Sequence, residues 1–275
     1  MSSINTISPD KFSRLIGVPN GPAIIDVRID EDFAADPRFI PGAVRRSHAT
    51  ILSWVSEYAG RSAVVVCQKG QKLSEGVAAW LRHSGASSAE VLTGGYLGWV
   101  EAGLPVVPET KLPPRDHLGR TVWVTRSRPK VDRIACPWLI RRFVDPNAVF
   151  LFVTPAEVEA VAERFNAAPF DVEGVFWSHR GAGCTFDTML EEWGLATEPL
   201  QKLAVIVRGA DTARPDLAPE APGLLAASLG LSRMYGDDLE QLEAGMALYD
   251  AFYRWCRDAT GETHNWHLAK PGKAR

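Results

Sequence analysis

The chain has 275 residues, 46% hydrophobic and 23% charged, with a formal net charge of −3 and a pI near 6.1. At about 100–200 residues per domain this is one or two globular domains, and the weak negative charge excludes a global attraction to nucleic acid or to an anionic membrane. Four cysteines, Cys67, Cys136, Cys184 and Cys256, lie too far apart for a C-x-x-C pair, which excludes a zinc ribbon or a thioredoxin motif.

In chain order, Ser8-Pro9-Asp10 reads as a helix start, with serine as N-cap and proline at the first helical position; the helix ends near Gly17. Ala23–Val27 is a short buried strand, Ile40-Pro41-Gly42-Ala43 a turn, and Ile51–Tyr58 a short helix. A second strand, Ala63–Val66, runs into Cys67, and a helix follows from Leu73 to about His83. Glu90–Leu92 is the next strand; Thr93-Gly94-Gly95 opens a short helix through Trp99, a core-packing residue, which stops at Gly103. This alternation predicts an α/β fold, a parallel sheet flanked by helices, over residues 1–108. The aperiodic, proline-containing stretch 109–120 reads as a linker.

A mostly helical α+β domain is expected over residues 121–268, before a tail, 269–275. Its strands are Thr121–Thr125, Val149–Val153 and Val175–Ser178. Its helices are Ile134–Phe143, with Pro137 in the first turn or kinking it, then Pro155–Phe165, Thr185–Trp193, Glu198–Val207, Glu220–Leu231 and Asp237–Cys256. No basic leader with an apolar core and no apolar run of about 18–20 residues is visible, so a cytoplasmic protein without a membrane span is expected.

Cys67 is the leading chemical residue. A thiol between a buried strand and a helix start faces unpaired backbone N–H groups and the positive end of a helix dipole, and Lys69 and Lys72 lie close in sequence. These influences favour the thiolate, in a loop that also cradles anions. A small sulfur-containing anion is the expected partner.

Three segments carry a family resemblance: Ile25-Asp26-Val27-Arg28, Ile40-Pro41-Gly42-Ala43, and Cys67-x-x-Gly70 followed by Leu92-Thr-Gly94-Gly95-Tyr-x-x-Trp99-x-x-Ala102-Gly103-Leu104-Pro105-Val106. In this order residues 1–108 resemble a rhodanese domain. The resemblance implies a sulfurtransferase in which Cys67 becomes a persulfide from a thiosulfate-like donor. Gln68, Lys69, Gly70, Gln71 and Lys72 would hold the anion, Asp26 and Arg28 would support the loop as an ion pair, and no cofactor is needed. Gln68 stands where the family usually has arginine, and Arg38-Phe39-Ile40 where many members have Gly-His-Ile, so the donor is left open.

The second part resembles the carboxy-terminal domain of ChrB-type chromate-resistance proteins. The carrying segments are Pro129-Lys-Val-Asp132-Arg-Ile-Ala-Cys136-Pro-Trp138, His179-x-x-x-x-Cys184-Thr-Phe186-Asp187, Val207-Arg208-Gly-Ala-Asp211-Thr, Pro219-Glu220-Ala-x-Gly223-Leu and Tyr249-Asp250-Ala-x-Tyr253-x-Trp255-Cys256. It implies a link to chromate. Two constellations stand out there. Arg126, Arg128, Lys130, Arg133, Arg141 and Arg142 form a basic set, with Arg126, Lys130 and Arg133 the candidate contacts for chromate or another oxyanion. His179, Asp187 and Asp211 are candidate ligands for manganese, iron or zinc, with Cys184, Glu220 and Asp132 as further members. Cys136, Cys184 and Cys256 read first as packing residues, with Cys184 the candidate sulfur acceptor. His264 and His267 are a further metal-ligand pair, set against a frayed chain end. The main reading is therefore a sulfurtransferase coupled to an oxyanion- or metal-binding domain; the rivals are a non-enzymatic chromate or redox sensor, and a metalloenzyme in the second domain.

Overall fold

The structure is a computed structural model, and residues 5–262 are described. The first part runs β1 (Thr6–Ile7), α1 (Pro9–Ser13), β2 (Ala23–Asp26), α2 (Asp30–Ala35), β3 (Arg38–Phe39), β4 (Ala43–Arg45), β5 (Ser62–Val66), α3 (Lys72–His83), β6 (Ser88–Leu92), α4 (Gly95–Glu101) and β7 (Val107–Pro108). A five-stranded parallel sheet has the order β1-β6-β5-β2-β4, and β3 pairs antiparallel with β7. Ser8 caps α1 as expected, accepting from the Lys11 amide. The expected helix at Ile51–Tyr58 is instead two 3-10 turns, His48–Ser53 and Val55–Tyr58, broken where Trp54 leaves helical geometry to be buried.

The sheet is buried on both faces, which explains its nearly continuous apolar strands. Alternation along β2 and β5 sends Ile25, Val27, Ala63, Val65 and Cys67 to the face covered by α3. Ile24, Val64 and Val66 go to the opposite face, where their cluster continues without a break through Phe12 and Trp99 into Phe143, Trp138 and Tyr253 of the second part. At the junction, the Gly42 amide donates to the Phe143 carbonyl at 2.7 Å, and a Cβ on Gly17 would fall 2.1 Å from the Phe143 ring. The stretch 109–120 is tied down too: the Trp193 indole donates to the Lys111 carbonyl, and Arg115 reaches Asp145.

The second part runs β8 (Val122–Arg126), α5 (Asp132–Phe143), β9 (Val149–Val153), α6 (Val158–Phe165), β10 (Ala168–Pro169), α7 (Thr185–Trp193), α8 (Glu198–Asp211), α9 (Ala221–Met234) and α10 (Asp238–Asp258). Its parallel sheet has the order β10-β8-β9. The expected third strand at Val175–Ser178 is displaced. Ala168–Pro169 takes the place beside β8, and Trp177 makes only a bridge to Phe170, because the chain turns at Asp171 with φ of 51°. Helix α5 begins at Asp132, two residues before the expected start, so Pro137 lies in its interior rather than its first turn. Among the described residues no helix is long and apolar enough to cross a membrane.

Candidate functional site

Cys67 leaves the sheet at the carboxyl end of β5, 6% exposed. The carbonyls of Cys67 and Gln68 accept from the Tyr96 and Leu97 amides at the start of α4, at 2.9 and 3.1 Å. With its carbonyls drawn that way, the loop turns amides toward the sulfur: the Gln71 N–H donates to Sγ at 3.4 Å. The Ser74 hydroxyl, in the first turn of α3, lies 3.1 Å from Sγ and 2.9 Å from the Gln71 carbonyl, placed to give its proton to an ionised sulfur. Burial pushes the Cys67 thiol up, but hydrogen bonds from Ser74 and from the Gln71, Ser74 and Lys69 backbones outweigh it, and the net shift is downward from the ordinary 9.0. Hydrogen bonding therefore carries the activation that the sequence assigned in part to Lys69 and Lys72, both of which are exposed.

Two glycines allow this loop to exist. Gly70 has φ of 66°, and a Cβ there would stand 2.2 Å from the Leu92 carbonyl oxygen; on Gly95, with φ of 60°, it would stand 2.3 Å from the Cys67 oxygen and 2.4 Å from the Gly70 nitrogen. The Cys67 loop and the Gly94-Gly95 turn are in backbone contact that no side chain permits. Asp26 and Arg28 form a buried bidentate pair, 2.6 Å at its shortest. Arg28 also donates to the Asp36 and Arg38 carbonyls and stacks 3.8 Å from the centre of the Tyr96 ring. Through Tyr96 the pair braces the start of α4, and through it the loop.

The second centre is assembled from four separate segments. Asp132 opens α5, Asp171 follows β10, His179 sits on the loop before α7, and Asp211 ends α8. His179 Nε2 lies 3.1 Å from Asp211 Oδ2, 3.3 Å from Asp171 Oδ1 and 3.7 Å from Asp132 Oδ2. The His179 loop is fixed on both sides, by the Arg180–Gly183 bridge and by the Thr188 hydroxyl donating to the Ser178 carbonyl. Asp132 Oδ2 accepts from the Thr185 and Phe186 amides at the start of α7, and the Asp132 amide donates to Asp211 Oδ1. Each of these carboxylates thus meets the positive end of a helix. Burial first, and then the charges of Asp211 and Asp171, hold the Asp132 carboxyl well above the usual range. Burial and Asp171 raise Asp211 as well. His179 is raised to about 9, by its hydrogen bond to Asp171 and, against the opposing effect of burial, by the neighbouring charges.

Several expected assignments change. Asp187 is not in the cluster: it is ion-paired with Arg208 at 2.9 Å and accepts from the Cys184 amide as the third residue of α7. That is the reciprocal capping arrangement of a helix start, legible in the spacing Cys184-x-x-Asp187. Cys184 is fully buried and burial holds its thiol well above 9.0, as fits a packing residue. The basic set does not form one open anion surface. Arg126 and Arg133 both face Asp171 Oδ2, and Lys130 is half-buried; Arg141 pairs with Glu243 and Arg142 with Asp250. Arg128 donates to the Ser232 and Tyr235 carbonyls. His264 and His267 lie outside the described residues. Asp171 and Ser74 are the additions: Ser74's place in the first turn of the helix after the loop was a usable signal, whereas nothing local marks Asp171.

The profile of the rhodanese-like domain matches residues 8–102, and that of "ChrB, C-terminal domain" matches residues 123–256. A curated relative, Protein ChrB of Cupriavidus metallidurans, is 35% identical over 142 residues, 51% of this chain and 42% of that protein. The chain therefore spans less than half the length of that relative. Among solved structures, a thiosulfate sulfurtransferase from Pseudomonas aeruginosa is 26% identical over 38% of this chain and 19% of that one, with a TM-score of 0.33. A rhodanese-related protein from Thermoplasma volcanium is 20% identical over 38% of this chain and 99% of its own, with a TM-score of 0.34. The chain thus carries a region that matches the rhodanese-like domain followed by a region that matches the C-terminal domain of ChrB.

Proposed function

We propose that the chain is a sulfurtransferase whose persulfide-forming centre is Cys67, working in chromate resistance. The Cys67 thiolate attacks the outer sulfur of a thiosulfate-like anion, the sulfur–sulfur bond of the donor breaks, and sulfite leaves with the bonding pair. A nucleophilic acceptor, most simply a thiolate, then attacks the outer sulfur of the persulfide, and Cys67 departs as thiolate. The observation that carries this reading is the convergence of the Gln71 N–H and the Ser74 hydroxyl on Cys67 Sγ. Those donors stabilise negative sulfur before attack and after transfer, as an oxyanion hole does for oxygen. Exposed Lys69 and Lys72 supply positive charge to an approaching dianion. Chromate resistance rests on the likeness of residues 123–256 to ChrB.

The test is intact-mass spectrometry after thiosulfate treatment, with release of sulfite measured alongside. One added sulfur on Cys67, absent in Cys67→Ser, is expected. An unmodified Cys67 in a protein that binds chromate without turnover would overturn the reading in favour of a sensor.

A further inference from the structure

We propose that Asp132, His179 and Asp211 hold one divalent first-row metal ion, of the manganese, iron(II) or zinc class, where α5, α7 and α8 meet. The three side chains offer one imidazole nitrogen and two carboxylate oxygens, all within 4.8 Å of one another. Two ligands about 2.1 Å from a common ion lie about 3.0 Å apart at a right angle and about 3.4 Å apart in a tetrahedron. The separations from His179 Nε2, 3.1 Å to Asp211 and 3.7 Å to Asp132, are the edges of such a polyhedron to within a few tenths of an ångström.

A second observation points to a missing ligand. Asp132 is 0% exposed, yet its Oδ1 has no hydrogen-bond partner, while Oδ2 takes two backbone amides. A buried carboxylate oxygen without a donor is costly, and a metal ion held by both Asp132 oxygens would remove the cost. Arg126 and Arg133 both face Asp171 Oδ2, which leaves the carboxylates of Asp132 and Asp211 to the site. Asp171 Oδ1, 3.3 Å from His179 Nε2, accepts from the Thr185 hydroxyl and borders the site as a neighbour of the ligands. One imidazole among carboxylates favours metals of intermediate hardness over calcium or copper(I). His179 is 41% exposed, so the site opens to solvent on its side and leaves coordination positions for water or a small anion.

The experiment is metal analysis of the full chain after dialysis against a chelator and reconstitution, separately, with manganese(II), iron(II) without oxygen, and zinc(II). About one ion per chain and a rise in melting temperature are expected with at least one of them. His179→Ala and Asp211→Asn should each lower occupancy at least tenfold at the same free metal concentration, with circular dichroism confirming that they fold. His117→Ala, an exposed histidine elsewhere, and the double variant His264→Ala/His267→Ala should keep the ion, as should Cys67→Ser, which separates this site from the sulfur chemistry. Occupancy below about a tenth with all three metals overturns the proposal, as does an ion retained by folded His179→Ala or lost from the His264/His267 variant.

Discussion

The two centres of this chain are built in opposite ways. Around Cys67 the groups that touch sulfur come from one run of eight residues, and the rest of the fold enters as a brace: the Gly94-Gly95 turn against Gly70, and the Asp26–Arg28 pair behind Tyr96. Around His179 each polar group arrives from its own segment, spread from Asp132 to Asp211, and none is an immediate neighbour in sequence of another. A loop centre of the first kind owes its chemistry to local geometry. A junction centre of the second kind depends on the packing of α5, α7 and α8 and inherits the stability of the whole core.

The sharpest contrast comes from Cys67→Ser, which removes the nucleophile and little else. Thiosulfate-dependent transfer should fall by more than about 1000-fold with melting unchanged, and an assay retaining appreciable transfer would deny Cys67 its role. The opposite case is Phe143→Ala at the seam between the two parts. Its ring is 4% exposed and packs on Gly17, Trp138 and Tyr253. A loss of about 3–5 kcal/mol is expected in denaturant titrations, felt by both parts together because they share one apolar cluster. If spectroscopic probes of the two parts then unfold with unchanged midpoints, the shared core is not the structural unit.

Gly70→Ala brings the contrast back to the loop. A Cβ 2.2 Å from the Leu92 oxygen cannot be accommodated without moving backbone, so a loss on the order of 3 kcal/mol should accompany slower alkylation of Cys67. A variant with parental alkylation would show that the glycine contact does not shape the sulfur site. Asp187→Asn probes the junction from outside the cluster. It weakens the Arg208 pair and the cap of α7 and should cost about 1–3 kcal/mol, read as a lower chemical-denaturation midpoint, with metal content unchanged. Loss of metal would put Asp187 back among the ligands.

The smallest effect belongs to Ser74→Ala. The folded Cys67 thiol is depressed below 9.0, so alkylation by iodoacetamide should reach half its plateau rate below pH 9 and fall as pH drops through that midpoint. Removing the hydroxyl moves the midpoint upward and slows the reaction at pH 7 by roughly 3- to 10-fold. An unchanged midpoint would mean the backbone amides suffice.

The same difference decides what was legible. Cys67 and its loop were readable because a strand, a bend and a helix start in succession dictate where amides point, and the alternation of short apolar strands with helices placed β2 and β5 in a parallel sheet. His179, Asp211 and Asp132 were marked by residue type and by resemblance. Asp187 was grouped with them because it stands near His179 along the chain, whereas the helix geometry of α7 turns its carboxylate to the Cys184 amide and to Arg208. Asp171 and the pairing of Arg126, Arg133, Arg141 and Arg142 carried no local signal. The sequence by itself determined most of the elements and the place of the Cys67 loop between a strand and a helix, since hydrogen-bond geometry and hydrophobic period act over a few residues. Only the tertiary structure decided which carboxylates face the imidazole and which cations are already neutralised, because those contacts depend on helix packing across as many as 108 positions of chain, as between Arg142 and Asp250.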